Sequence, residues 1–180
     1  MSEVFDGAIR IARREIGMIS LRGDLGSAGF AQGIKDVTGA DIPGTRRLSG
    51  GEAGLVWMSP DELLALVPYG DAPAITTALR ERLGTAHCLV ADVSDARALF
   101  TLTGAGWREV LAKGAPVDLA PGAFGVGDVR RTRIGQIAAA FWSTEEARAD
   151  VVCFRSVGEY MFNWLCTAAQ PGSLPGVLRS

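Results

Sequence analysis

Apolar positions along this chain recur in two rhythms, alternating every second residue in some stretches and every third or fourth in others. "GMISLRGD" (Gly17 to Asp24) alternates and reads as a strand. "SAGFAQGIKDVTG" changes period: Phe30, Ile34 and Val37 form one stripe, Ser27 stands where a helix cap belongs, and Gly39 can close the helix in a left-handed conformation. "GLVWMS", "SPDE" and "LLALVP" follow. Ser59, Pro60 and Glu62 match a capping box, but Pro68 comes too soon for a helix, so strand, turn, strand is expected. "DAPAITTALRERLG" places Ile75, Ala78, Leu79 and Leu83 on one helical face, with Gly84 beyond its end. "AHCLVADVS" and "RALFTLTG" read as strands. "TGAGWREVLAKG" reads as a turn and helix with Trp107, Val110 and Leu111 inward, Lys113 in the last turn and Gly114 as stop. "RRTRIGQIAAAFWS" and "ADVVCFRS" form a long hairpin-like pair, and "VGEYMFNWLCTAAQ" is the final helix.

The order is β-α-β-β-α-β, then β-α-β-β-α. This predicts an α+β fold of two ferredoxin-like, split βαβ pseudo-repeats, mainly antiparallel sheet packed by helices, the second lacking its last strand. An internal likeness supports the repeat. Ser20 to Gly44 and Thr101 to Gly122 each hold a strand ending in Gly, a short helix closed by Gly, an Asp and a Pro-Gly turn. The expected organisation is a flexible tail over 1–14, one domain over 15–170 built of halves 15–95 and 96–170 with a shared core, and a C-terminal tail over 171–180.

Composition narrows the function classes. The 180 residues are 48% hydrophobic and 21% charged, with a net charge of −2. No overall positive field attracts nucleic acid or an anionic membrane. The arginine groups (Arg10, Arg13, Arg14; Arg46, Arg47; Arg130, Arg131, Arg133) are short and scattered, and read as solvated surface. No apolar run matches a bilayer span, and "MSEVFDGAIRIARREIG" lacks the apolar segment of a secretory signal. Cys88, Cys153 and Cys166 are odd in number and widely spaced, as suits reduced thiols in a cytoplasm.

"TGAGWREVLAKGAPVDL" (Thr103 to Leu119) has the look of a phosphate loop. Gly104 and Gly106 fill the first two places of G-x-G-x-x-G, but Glu109 occupies the third, where its carboxylate would repel phosphate. A tight turn with Gly104 at positive φ is the expected reading. His87, the single histidine, has only adjacent Cys88 as a sulfur neighbour, and no short paired spacing supports a zinc site with Cys153 and Cys166. A catalytic triad would need His87 to find partners through the fold. Asp92, Asp95 and Asp118 read as general-base candidates if a cleft buries them, or as acceptors for loop amides. No catalytic, cofactor-binding or metal residue is assigned. On the final helix Val157, Tyr160, Met161, Trp164, Leu165 and Ala168 form a stripe that Phe162, Cys166 and Ala169 widen. Such a helix is either deep in its own core or covered by another protein.

"DVSDARALFTLTGAGWREVLAKGAPVDL" (Asp92 to Leu119) resembles a motif of the folate-dependent aminomethyltransferase-like fold: a D-x-S segment, a strand ending in Gly, a helix and an Asp-hydrophobic pair. "GMISLRGDL", "WMSPDELLALVP" and "CFRSVGEYMFNWL" are similar, in order and spacing, to the gamma subunit of heterotetrameric sarcosine oxidase. The resemblance spans Gly17 to Ala169. It implies a non-catalytic accessory subunit of a cytoplasmic complex that oxidises sarcosine to glycine, forming hydrogen peroxide and 5,10-methylenetetrahydrofolate. It further implies alpha, beta and delta partner subunits, with FAD, FMN, NAD and tetrahydrofolate held by the partners. The chain departs from the one-carbon-transfer enzymes of the same fold. It is about half their length, and "RIGQIAAAFWS" lacks the acid their folate site carries. A stand-alone folate-binding protein is the alternative, and a hydrolase using His87 a third reading.

Overall fold

Ile9 and Ile11 alternate with Arg10 and Ala12, and both isoleucines are buried. That makes the N-terminal segment a strand, where a flexible tail over 1–14 was expected. The computed structural model describes residues 3–51 and 53–178. In chain order the elements are β1 (Val4–Asp6), β2 (Arg10–Arg14), β3 (Gly17–Arg22), α1 (Ala28–Thr38), β4 (Leu48–Ser49), β5 (Leu55–Ser59), β6 (Glu62–Val67), α2 (Ala72–Leu83), β7 (Leu89–Asp92), β8 (Arg97–Thr103), α3 (Trp107–Ala112), β9 (Val129–Ile134), β10 (Ile137–Glu145), β11 (Arg148–Phe154) and α4 (Gly158–Ala168). They fall into two units. One, Ile16–Asp95, is nested in sequence within the other, Met1–Glu15 with Ala96–Ser180.

The nested unit is a five-stranded sheet in the order β4-β5-β6-β3-β7, antiparallel throughout. Its β3-α1-β5-β6-α2-β7 path is a split βαβ plan. α1 starts where the Ser27 hydroxyl accepts the Phe30 N–H and stops at Gly39, whose φ of 72° a side chain would resist. Phe30 and Ile34 on α1, Leu79 and Leu83 on α2, and Ile19, Leu21, Leu55, Leu63 and Ala65 from the sheet form its core. β7 is an edge strand. Arg80 covers that edge by donating from Nε and Nη2 to the Val90 carbonyl, at 3.1 and 2.8 Å.

The framing unit is a six-stranded antiparallel sheet in the order β1-β2-β8-β11-β10-β9. Its β8-α3-β10-β11-α4 path lacks a final strand, and β2 supplies it from the start of the chain, with Ala12 opposite Thr101. The sheet position missing from the second repeat is therefore filled by the segment expected to be a tail. Trp107, Phe124 and Phe141 are fully buried and pack in series, with ring centroids 5.9 and 5.4 Å apart. Phe100, Leu102, Met161 and Leu165 complete this core. Burial of each large side chain contributes about 2 to 3 kcal/mol.

Three further expectations change. "RRTRIGQIAAAFWS" is not one strand: Gly135, at φ 58°, turns the chain between β9 and β10. α4 buries Met161, Leu165 and Ala168, but Tyr160 stands 54% exposed, so the stripe read from sequence is only partly covered. The C-terminal segment, expected to be loose, packs Leu174 and Leu178 against the framing core.

Candidate functional site

The turn that resembled a phosphate loop comes first. Gly104 has φ 132°, and Gly104 and Gly106 lie against Ile9 and Leu174, so both glycines serve close packing. Glu109 is 2% exposed. Its carboxylate accepts the N–H groups of Gly176 (2.8 Å) and Leu178 (3.1 Å). Lys113, one turn on, donates to the Ala168 carbonyl (2.5 Å) and the Ser173 hydroxyl (2.9 Å). α3 thus uses one anion and one cation to strap down the chain's own C-terminal segment. The residue at the third glycine's place is engaged by the chain's own C-terminal amides.

Arg108, next to Glu109 on α3, carried no signal in the sequence. It is 3% exposed, lies over the Trp107 ring (4.5 Å), and donates to the carbonyls of Leu119 (3.2 Å) and Phe124 (2.6 Å). Its Nη2 also meets the exposed Glu146 carboxylate at 3.3 Å. The side chain holds the 119–124 loop to α3.

Each unit also holds a buried hydroxyl and a buried carboxylate beside an arginine, with the hydroxyls at the matching place in the repeat and the charged groups placed differently. On β3 the Ser20 hydroxyl donates to Glu62 Oε1 (3.3 Å), and Arg22 Nη2 reaches Glu62 Oε2 (3.3 Å). On β8 the Thr101 hydroxyl donates to Asp150 Oδ1 (2.5 Å), and Arg148 Nη2 lies 3.8 Å from Asp150 Oδ2. "SLRG" and "TLTG" place Ser20 and Thr101 alike. A carboxylate held between a hydroxyl and a guanidinium ties neighbouring strands together.

The remaining candidates lie apart. His87 is exposed, in the turn before β7 rather than on the strand, and makes no hydrogen bond with the described residues. Asp92 accepts from the Ser94 N–H (3.0 Å) and hydroxyl (2.5 Å), and the Ser94 hydroxyl in turn accepts the Met18 N–H (3.0 Å). Asp95 accepts from the Tyr69 hydroxyl (3.1 Å), and Asp118 from the Ala120 N–H (2.9 Å). Asp92 and Asp118 close local turns, and Asp95 ties to Tyr69. Cys88 belongs to the nested unit, Cys153 and Cys166 to the framing unit, and all three thiols are free. Among the described residues no group of three or more His, Cys, Asp and Glu is arranged to hold a metal ion. The nested unit carries an open groove of ≈ 570 Å³ lined by Leu25, Ile42, Pro43, Trp57 and Pro60, with Arg46 at its rim.

Burial pushes the Cys153 thiol up to about 11 from an ordinary 9.0, against the pull of Arg13 and Arg97. An unfolded chain loses this proton near pH 9 and the folded chain near pH 11. The stabilisation is therefore complete below pH 9 and is lost as pH rises from 9 to 11. Urea midpoints of the wild type should fall across that interval more steeply than those of Cys153→Ala. Parallel curves would show that Cys153 contributes nothing.

Comparison with known proteins places this architecture. The model of the sarcosine oxidase, gamma subunit family matches residues 22–171. A sarcosine oxidase subunit gamma from Corynebacterium sp. (strain P-1) is 31% identical over 153 residues, covering 83% of this chain and 74% of the relative. Among solved structures, a chain of the heterotetrameric sarcosine oxidase from Corynebacterium sp. U-96, in complex with pyrrole 2-carboxylate, superposes with a TM-score of 0.82. It is 27% identical, over 92% of this chain and 87% of that one. The glycine cleavage system aminomethyltransferase T from Bartonella henselae shares the fold at a TM-score of 0.61 and 14% identity, over 87% of this chain and 45% of that one.

Proposed function

The chain belongs to the sarcosine oxidase gamma subunit family, and from that premise we propose that it is the accessory subunit of a heterotetrameric sarcosine oxidase and performs no chemistry of its own. One observation carries the second half of this reading. Glu109, at the place of the third glycine of a phosphate loop, is buried and engaged by the chain's own C-terminal amides. β10, the strand on which folate enzymes of this fold carry an acid, holds none before Glu145 at its end.

In this reading the alpha and beta subunits hold FAD, FMN, NAD and tetrahydrofolate, and a delta subunit completes the complex. The complex demethylates sarcosine to glycine in the cytoplasm. No helix among the described residues is long and apolar enough to cross a membrane. The gamma chain contributes surface, and the rigidity of two sheets on which partners settle.

Co-expression with the other subunits tests the proposal. The isolated chain is expected to be colourless and the purified complex yellow with bound flavin. The complex made without this chain should be less stable or slower. A complex of full stability and turnover without it would refute the role. Calorimetric titration of tetrahydrofolate into the isolated chain tests the alternative, and heat of binding there would favour a folate protein over an accessory subunit.

A further inference from the structure

The groove of ≈ 570 Å³ in the nested unit has two properties that packing within the unit leaves unexplained. Its wall is apolar: Leu25, Ile42 and Trp57 are each only partly buried, and Pro43 and Pro60 flank them. Its rim carries Arg46 in an unfavourable backbone conformation. The Arg47 N–H donates to the Gly44 carbonyl at 3.0 Å, so residues 44–47 form a β-turn with Arg46 in third place. Arg46 has φ 60°, and among the described residues no other non-glycine residue has a positive φ. A turn position of that kind favours glycine, because a Cβ crowds the main chain there.

No contact of its own side chain holds the arginine there. Arg46 is exposed and makes no hydrogen bond or ion pair with the described residues. The acids next in sequence to the lining residues are already engaged. Asp24 accepts the Gly26 N–H (2.9 Å), Asp41 meets Lys35 Nζ (2.8 Å), and Asp61 accepts the Ser59 hydroxyl (2.5 Å). Backbone strain of this kind clusters at binding sites, and tryptophan and arginine are prominent among the residues that anchor protein partners. A second copy set groove to groove is a poor occupant. Two concave surfaces leave each other unfilled, and the symmetry brings Arg46 near Arg46. The unmet positive charge calls for an acid, and the wall beside it for an apolar side chain.

We propose that this groove receives an extended segment of a partner subunit, which seats an apolar side chain against Trp57 and a neighbouring acid on Arg46. Apolar burial supplies the affinity, and the charge pair sets the direction in which the segment runs. The turn keeps Arg46 at the rim in a conformation that glycine would adopt without strain. The proposal rests on the reading of this chain as a subunit of a larger complex.

The test uses the full chain co-expressed with its partner subunits. Arg46→Gly keeps the turn and removes the charge, so loss of binding is separated from loss of folding. It should weaken assembly about tenfold, while the isolated variant melts at or above the wild-type temperature. Arg46→Lys should keep most of the assembly, and Arg46→Glu should lose more than Arg46→Gly. Hydroxyl-radical labelling of Trp57 should fall severalfold from the free chain to the complex. Equal labelling in both states overturns the groove as a docking site, and wild-type assembly of Arg46→Glu overturns the acidic occupant. A dimer of the isolated chain that Arg46→Gly dissociates would put a second copy in the groove and overturn the partner segment. Each of these results leaves the subunit role standing. Failure of the wild-type chain to co-purify with any partner would overturn both.

Discussion

Replacing Arg108 by alanine is expected to destabilise the framing unit by about 3 to 4 kcal/mol. The loss has two sources. The buried carbonyls of Leu119 and Phe124 would lose their donor, at about 1 to 3 kcal/mol for each buried group left unmade. The guanidinium over Trp107 would leave a void beside a fully buried ring. Glu146 contributes little to this figure, because its carboxylate is mostly in water and can remain charged there. Arg108→Lys should recover only part of the loss, since one ammonium does not reproduce the planar fork that meets two carbonyls. The tryptophans allow the effect to be localised. Trp107, Trp142 and Trp164 belong to the framing unit and Trp57 to the nested one. Urea unfolding followed by tryptophan fluorescence in a Trp57→Phe background should show the shifted midpoint. A shift below 1 kcal/mol would mean that the 119–124 loop stays in place without Arg108.

Gly54→Ala is expected to cost about 3 kcal/mol, at the upper end of the usual range for overpacking. Gly54 lies immediately before β5, and its carbonyl accepts the Leu66 N–H at 2.8 Å. A methyl group there would overlap the carbonyl oxygen of Ser49 and crowd Cα of Gly50. Those obstacles are main-chain atoms, so no rotamer change relieves them. The β4–β5 connection must open, and the bond to Leu66 strains with it. Because the damage is confined to the nested unit, the transition reported by Trp57 should move while that of the framing-unit tryptophans changes less. A variant as stable as the wild type would show that the connection yields at little cost.

The parts of the fold legible in the sequence were those set by local chemistry. Ser27 and Gly39 bracket α1, Gly84 ends α2, and short apolar runs bounded by turn residues mark β3, β5 and β6, because caps, turns and local runs act within a few residues. The N-terminal strands escaped notice for the opposite reason. Three arginines obscure the two isoleucines of that segment, and the strand it joins begins at Arg97. The sites divide in the same way. Asp92 and Asp118 sit two residues from the amides they bind. Arg108 and Glu109 fall in a six-residue helix whose short wheel suggests a polar face, yet a loop and the C-terminal segment bury both. The spacing of Leu174 and Leu178 in "PGSLPGVL" was the available sign that this segment docks. The gamma-subunit resemblance was legible because it depends on the order of several motifs rather than on any single contact.

The borrowed strand β2 carries a consequence for how the molecule is made. As the chain leaves the ribosome, Ile9 and Ile11 emerge first, but the strand they pair with lies beyond the whole nested unit. The nested unit holds all its own strands and helices, so it can fold while the rest is still being synthesised. The first strands must wait, exposed, for β8 to appear, and the sheet closes only after β11 and α4 follow. Arg10, Arg13 and Arg14 give that waiting segment charge between its isoleucines. Closure over so long a loop makes assembly of the framing sheet the slow step. A chain rearranged to begin at Ile16 and carry the present 1–15 segment at its end, through a linker long enough to reach, should fold faster to the same structure.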